Sequence, residues 1–310
     1  MEIIRVTDKE YQQAFPKPWS LFNSVAFSEL NKEKCLDVHY LLFRDSKLRL
    51  GMIVGEREDS LNVPFSAPYG GFSYNSSVSV TSYEEACVAL KEYAKMVGKP
   101  LFITMASPIY NSTDNTKIYN ALVQSGAKVE YTDINQHFEV TRFEHYEDIL
   151  DSKIRNKLRN ALSGNLTFVN LNSKNPDDVA RAYEVIRINH AERGFPLHMS
   201  LQNVLDTIKI IPADFFVVSD SEGHDVAAAQ IFHATHGISQ VIYWGDVPSY
   251  SHLRSMNFLS YKVFEYYYNQ GKIKILDIGT SSQHGEPNYG LCEFKENIGC
   301  EMTLKYTFQL

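Results

Sequence analysis

Cysteine is scarce in this chain: four residues in 310 (Cys35, Cys87, Cys292 and Cys300), scattered and never in CxxC spacing. That pattern excludes a disulfide scaffold and a thiolate zinc site, and the four read as reduced thiols of a cytoplasmic protein. Positive charge is also short. The formal net charge is −7, so there is no whole-protein field for DNA, and any RNA or phosphate contact needs a local patch. No apolar run approaches the roughly 18 residues of a membrane span, and the opening MEIIRVTDKEY lacks signal-peptide character. There is no GxSxG, Walker A or GxGxxG motif. His233 and His236 flank a hairpin turn in HATHG, and no carboxylate follows at ligand spacing, so no metal is expected.

What is present is globular: 44% hydrophobic and 22% charged residues, rich in Tyr and Phe. The length fits two domains. Residues 37–141 read as strands DVHYLLF, LGMIVGER and LNVPF, then the loop PFSAPYGGFSYNSSVSV. A helix TSYEEACVALKEYAKMVG follows, with Ser82 and Glu85 at capping-box spacing and an apolar stripe over Ala86, Leu90, Tyr93, Ala94 and Val97. A buried-type strand LFITMAS, a helix IYNALVQS, Gly126 and a strand KVEYTDINQHFEV complete the set. Residues 214–310 repeat the order: DFFVVSD, a hairpin of VAAAQIFHA with ISQVIYWG, the aromatic helix NFLSYKVFEYYYNQ stopped by Gly271, the strand ILDIGTS, the helix LCEFKENI, Gly299 and the strand EMTLKYTFQL. From DVHYLLF to LFITMAS is 64 residues and from DFFVVSD to ILDIGTS is 61, which points to a tandem duplication of one α/β unit, each a largely antiparallel mixed sheet with flanking helices. The expected units are 1–143 and 144–310. IIRVT is expected to join the first sheet. The second unit is expected to carry an additional helix pair, one capped by Asn175 with Pro176 at N1 and one around 200–210.

The repeat raises a question about one lysine. Four residues before Gly126 stands Leu122; four before Gly299 stands Lys295. If the first is core, the second repeat has put a cation on the corresponding face. Lysine is rarely buried without a partner, so Lys295 either snorkels to solvent or faces an anion in a cleft.

NFLSYKVFEYYYNQGKIKILDIGTSS, GLCEFKENIGCE and DSKIRNKLRNALSGNLTFV resemble a long helix feeding a strand, an FKxxFG-like signature and a basic opening helix. Together they resemble the tandem-GNAT acyltransferases of the Fem and FemAB-like families, with residue-level likeness over about 257–301. The resemblance implies transfer of an acyl or aminoacyl group from a thioester or a charged tRNA to an amine, and a site in the cleft on the second unit's side. The chain departs from the pattern in two places. DVPSYSHLRSMN, where GNAT enzymes hold the coenzyme A pyrophosphate, has no glycine, and no coiled-coil arm is present.

The candidates follow. Lys295 is the donor to a carbonyl oxyanion or a donor phosphate, with Phe294 packed beside it. Asp277, at the end of a central strand, is a general base or a strand-end cap. In the following loop, TSSQHGEPNYG, read as a substrate loop or a merely solvated one, His284 is a catalytic candidate because imidazole titrates near neutrality, Tyr289 is a substrate-binding candidate, and Glu286 lies between them. Tyr243, Trp244 and Arg254 are further binding candidates, Arg254 for a phosphate at a helix start. Gly70 and Gly71 would let backbone approach a ligand. In DILDSKIRNKLRNAL, Leu150, Ile154, Leu158 and Ala161/Leu162 form an apolar stripe, and Lys153, Arg155 and Arg159 are phosphate-binding candidates or a solvated face. The expected donor is an acyl-CoA-type thioester and the acceptor an amine on a small or cell-envelope precursor. Alternatives are a charged tRNA as donor, or a non-catalytic binding module with the same fold.

Overall fold

The computed structural model describes residues 1–310. The chain opens with β1 (Glu2–Val6), α1 (Asp8–Ala14), α2 (Val25–Leu30), β2 (Asp37–Arg44), β3 (Leu48–Glu56) and β4 (Leu61–Val63). It continues through α3 (Val80–Val97), β5 (Leu101–Thr104), α4 (Ser112–Gln124) and β6 (Lys128–Glu139). The short α5 (Tyr146–Ile149) and the basic α6 (Ser152–Ser163) lead to β7 (Thr167–Leu171), α7 (Pro176–Arg193) and α8 (Leu201–Thr207). Then come β8 (Ala213–Ser219), β9 (Asp225–Thr235), β10 (Ile238–Asp246), α9 (Ser255–Gln270) and β11 (Ile275–Thr280). A small hairpin, β12 (Ser282–Gln283) and β13 (Glu286–Pro287), precedes α10 (Tyr289–Asn297) and β14 (Glu301–Gln309).

The order strand, helix pair, three strands, helix, strand, helix, strand thus occurs twice. The pair α7–α8 is not peculiar to the second repeat, as its sequence suggested, because α1–α2 holds the same place in the first. Those two helices are one to two turns long and set by local caps (Thr7 with Glu10 in a capping box, and Ser24), so no apolar stripe announces them. Elsewhere the local chemistry acts as read. Asn175 caps α7 with Pro176 in the first turn, and Gly271 ends α9 in a left-handed conformation. α3 starts earlier than expected: Ser79, not Ser82, is its cap, accepting from the Ser82 N–H.

The chain divides into two compact units, and each takes a run of six neighbouring strands of mixed direction. In the first, β1, β2, β3, β4, β5 and β14 lie in that order; in the second the order is β6, β11, β10, β9, β8, β7. Both contain one parallel pair, β4 with β5 and β10 with β11, among antiparallel ones. The division departs from a cut at 143/144. Residues 1–134, 282–286 and 303–310 form unit 1; 135–281 and 287–302 form unit 2. The last strand of the chain therefore closes the first sheet, where Thr307 and Phe308 pair with Thr104 and Ile103. The end of β6 closes the second, where His137 and Phe138 pair with Asp277 and Leu276. Such long-range pairing leaves no trace in local periodicity.

Unit 1 packs α3 (Ala86, Leu90, Ala94) and α4 (Leu122) on Ile103 and Phe308. Unit 2 packs α9 (Leu259, Val263, Phe264) on Leu276, Ile278 and Phe138, with the α6 stripe of Ile154, Leu158 and Ala161 in the same cluster. All four cysteines are free, and no helix is long and apolar enough to cross a membrane.

The exchange has a measurable consequence. Phe308→Ala should lower stability by about 3–5 kcal/mol, and amide hydrogen exchange should speed up in β5 and α3 rather than in β10 and β11. Protection lost chiefly around β11 would show that the last strand serves the second unit instead.

Candidate functional site

In unit 2 the parallel strands β10 and β11 pair only over Ile238–Ile275, Ser239–Leu276 and Gln240–Asp277. Beyond that point each strand bulges, between Val241 and Tyr243 on β10 and between Asp277 and Gly279 on β11. The strands part there. Register places Phe232, Gln240, Asp277 and His137 in one lateral row, so their side chains share a face of the sheet. Three of the four are polar and buried: Gln240 is 6% exposed, Asp277 1% and His137 5%. Gln230, two residues along β9 from Phe232, faces the same side and is also buried. Both amide atoms of Gln230, Oε1 of Gln240 and Nδ1 of His137 have no hydrogen-bond partner. Buried polar groups are ordinarily paired, so this row is a place where a polar ligand or water belongs. Burial holds His137 below the ordinary imidazole range, opposed by the nearby Asp277 and Glu301 carboxylates.

Asp277 anchors the β11 bulge. Its Oδ1 accepts from the Gly279 N–H and from Asn135 Nδ2, each at 2.9 Å. Gly279 sits at φ +75°, a conformation that a bulge assigns to glycine. The carbonyls beyond the bulge then accept from Lys295 Nζ, Gly279 O at 2.9 Å and Thr280 O at 3.0 Å. Lys295 therefore does not snorkel. It is 2% exposed, and burial lowers its pKa to about 8, opposed by Cys300 and Asp277.

Comparison of the repeats explains the position. Gly126 and Gly299 have φ of +80° and +84°. The residue after each donates to the fifth residue back, Ala127 to Leu122 O and Cys300 to Lys295 O, both at 3.0 Å. Leu122 and Lys295 are thus equivalent and both buried. Strand pairing gives a second equivalence. Ile103–Phe308 and Leu276–Phe138 are the apolar pairs packed against helices, and one step along stand Thr104–Thr307 and Asp277–His137. In unit 1 the two threonine hydroxyls satisfy each other at 2.9 Å. Unit 2 has replaced a leucine with a lysine and a self-satisfied threonine pair with an aspartate and a histidine.

The helices that start just past the parting strands differ in the same direction. In unit 1, Ser79 caps α3. In unit 2, α9 has no side-chain cap; its N-cap position is the exposed Arg254, held at φ +56°, and the buried hydroxyl of Ser255 has no partner. In DVPSYSHLRSMN, which lacks glycine, Arg254 thus holds a left-handed conformation that ordinarily favours glycine.

The remaining sequence candidates are dispersed. Trp244 meets Phe294 edge-to-face at 6.0 Å at the margin of the unit-2 core. Tyr243 stacks edge-on against His190 at 5.3 Å, and burial raises its hydroxyl. Tyr289 is 79% exposed at the start of α10. His284 and Glu286 belong to unit 1 through the small hairpin, where His284 packs on Tyr131 at 4.9 Å. Gly70 and Gly71 also lie in unit 1, beside a cavity lined by Trp19, Tyr74 and Tyr110. A Cβ at Gly70 would meet Pro64 N at 2.8 Å, so backbone does approach closely there. On α6, Arg159 pairs with Glu147 at 2.7 Å, Arg155 donates to Leu150 O at 3.1 Å, and Lys153 is exposed. Gln240, Gln230, His137, Asn135 and Ser255 were not singled out from sequence; the first four lie in stretches read as strands, and Ser255 in a loop noted only for its lack of glycine.

Comparison with family models and with curated proteins finds no match for this chain. Solved structures do resemble it along its whole length. FemX is 16% identical, covers 100% of this chain and 97% of its own, and superposes with a TM-score of 0.66. The C-terminal domain of a putative lysylphosphatidylglycerol synthetase from Agrobacterium fabrum is 12% identical, with coverage of 98% and 92% and a TM-score of 0.62. A tandem GNAT protein from the clavulanic acid biosynthesis pathway is 9% identical, with coverage of 99% and 97% and a TM-score of 0.58. The chain has the FemAB-like tandem GNAT fold, as its sequence resemblance implied.

Lys295 supplies a pH test. Its native-state pKa of about 8 lies below the ordinary 10.5, so between those values the unfolded chain holds a proton the native state has released. Stability then rises with pH across that window, by roughly 3 kcal/mol in total at about 1.4 kcal/mol per unit. Denaturation of the wild type and Lys295→Met from pH 7 to 10.5 should show this gain in the wild type only. Parallel curves would mean that the lysine titrates normally.

Proposed function

We propose that the chain is an acyltransferase, with unit 2 as the working unit, carrying an acyl group from an acyl-CoA-type thioester to an amine on a small or cell-envelope precursor. One observation supports this above all: at equivalent positions of the two repeats, unit 2 alone carries buried Lys295, Asp277 and His137 where unit 1 carries Leu122, Thr104 and Thr307. Buried charge and unpaired amides weaken a fold, and functional sites are where such departures persist.

In this reading the parted strands β10 and β11 receive the acyl carbonyl, which attracts a neutral amine. The new C–N bond forms, the carbonyl oxygen becomes an oxyanion, and collapse breaks the C–S bond and expels the thiolate, which takes up the proton that the amine loses. Positioning supplies much of such a rate. Asp277 and Lys295 act as positioning residues, fixing the bulge from its N–H and its carbonyl side, and the Lys295 charge lies beneath the developing oxyanion. The uncapped N–H groups of α9, with Arg254, receive the donor's phosphates.

A second reading, a charged tRNA as donor, draws on the basic α6, whose Lys153 is exposed, and on the fold shared with FemX and the lysylphosphatidylglycerol synthetase domain.

Thermal shift against acetyl- and longer acyl-CoA tests the donor. At about 100 times the dissociation constant a ligand adds roughly 2.7 kcal/mol. Arg254→Gly should keep or raise the melting temperature, because it relieves the left-handed strain, yet lose the shift with acyl-CoA. No shift with any thioester, and binding of charged tRNA instead, would overturn the thioester donor. Lys295→Met and Asp277→Asn, checked for folding, should each cut kcat by about 10-fold or more; folded variants with full activity would remove both residues from the mechanism.

A further inference from the structure

Beside the parted strands the same unit gathers a second set of groups. His137 and Glu139 stand two apart on β6, so their side chains share a face. Glu301, at the start of β14, comes alongside them, and one ligand-type atom of each of the three lies within 4.8 Å of the others. His137 Nε2 is 3.9 Å from Glu301 Oε2, beyond hydrogen-bonding reach, and its Nδ1 has no partner at all. The ring is nonetheless 5% exposed. The other Glu301 oxygen, Oε1, is held by Arg142 Nη1 at 2.6 Å.

Unit 1 contains a similar trio, and the contrast is informative. Asp37, His39 and Glu56 also bring their ligand atoms within 4.8 Å of one another. There every group is engaged. His39 bonds Glu56 at 2.8 Å and the Tyr93 hydroxyl at 2.9 Å, Asp37 pairs with Arg5 at 2.6 Å, and Glu56 pairs with Lys99 at 2.7 Å. That cluster is a closed ion-pair network. In unit 2 the imidazole is buried without a hydrogen bond, and it faces a carboxylate oxygen that the neighbouring arginine does not use.

We propose that His137, Glu139 and Glu301 form a binding site for a divalent transition-metal cation of the zinc type. One imidazole and two carboxylates suit such an ion, and three protein ligands leave a fourth tetrahedral position for water. The metal sits between His137 Nε2, Glu301 Oε2 and a Glu139 oxygen, drawn together by a small movement of exposed carboxylates. Arg142 orients the Glu301 carboxylate from behind, the role that outer partners play at metal sites. The site shares His137 with the polar row beside Asp277, but none of its three ligands takes part in the proposed acyl-transfer steps. Its ligands lie far apart in sequence on two strands, which is why histidine spacing alone pointed to no metal.

Zn2+ titrated into the chelator-treated full chain, in competition with a chromophoric chelator, should show one equivalent bound. Co2+ should give visible d–d absorption of a tetrahedral nitrogen–oxygen site. His137→Ala and Glu301→Gln should each weaken Zn2+ binding at least 10-fold, while His39→Ala should not. Glu139→Gln, at an exposed position, should weaken it similarly and guards against a His137 variant that fails to fold. Absence of Zn2+ binding, or binding unchanged in folded Glu139→Gln and Glu301→Gln, would overturn the site; so would loss of binding in His39→Ala alone.

Discussion

A buried ammonium resting on two backbone carbonyls holds the second unit's parted strands in place. Lys295 reaches from α10 to the carbonyls of Gly279 and Thr280, and Asp277 holds the Gly279 N–H from the other side. The same neighbourhood is tied by further directional bonds. Ser281 bonds Gln136, Gln136 reaches the Cys292 carbonyl, and the Asn288 N–H reaches Ser281 O. Three elements, β6, β11 and α10, are thus joined by polar contacts of fixed geometry. In the first unit Leu122 does the corresponding work by apolar packing. Apolar packing is non-directional, whereas an ammonium on two carbonyls has preferred directions, so in the second unit directional bonds set the strand end.

The duplication supplies an internal control that a single domain lacks. Both repeats meet the same topological demands, with one parallel pair, a helix beyond it and a glycine-terminated helix before the last strand. Residues that differ in character at equivalent places are therefore not required by the fold. The lysine, the aspartate–histidine pair and the uncapped α9 all fall in one unit, and all raise the polarity of one region. The first unit keeps its equivalents closed: a leucine, a threonine pair bonded to itself and a serine cap. Specialisation of one copy, with the other retained as scaffold, is the simplest history for such asymmetry.

Much of the fold was legible in the sequence, and the reasons are local. Alternation in DVHYLLF and the stripe of Ala86, Leu90 and Ala94 reflect which side of each element meets the core. Gly271, Gly126 and Gly299 mark left-handed helix ends. The Leu122–Lys295 equivalence was visible because it needs only counting back from a glycine. What stayed hidden depends on contacts between distant residues. Nothing in KVEYTDINQHFEV says that its last residues pair with β11, or in EMTLKYTFQL that it pairs with β5. For the same reason the polar row could not be assembled in advance, since Gln240, Asp277 and His137 become neighbours only through strand register. His284 and Tyr289 drew notice as titratable or aromatic residues beside a probable strand end; His284 groups with the first unit, and Tyr289 stands exposed at the start of α10.

The placement of β14 orders events in time. A ribosome delivers the chain from residue 1 onward, and the Thr104–Thr307 contact spans 203 residues of sequence. When the first repeat has emerged, β5 lacks its final neighbour and presents an open sheet edge, the surface on which strands of other molecules readily pair. The second unit waits almost as long, because it includes α10, whose Lys295 holds the end of β11 and which is made only shortly before β14. Neither half can therefore mature before the end of the chain is made, and the earlier-made half keeps an open sheet edge for about two thirds of synthesis.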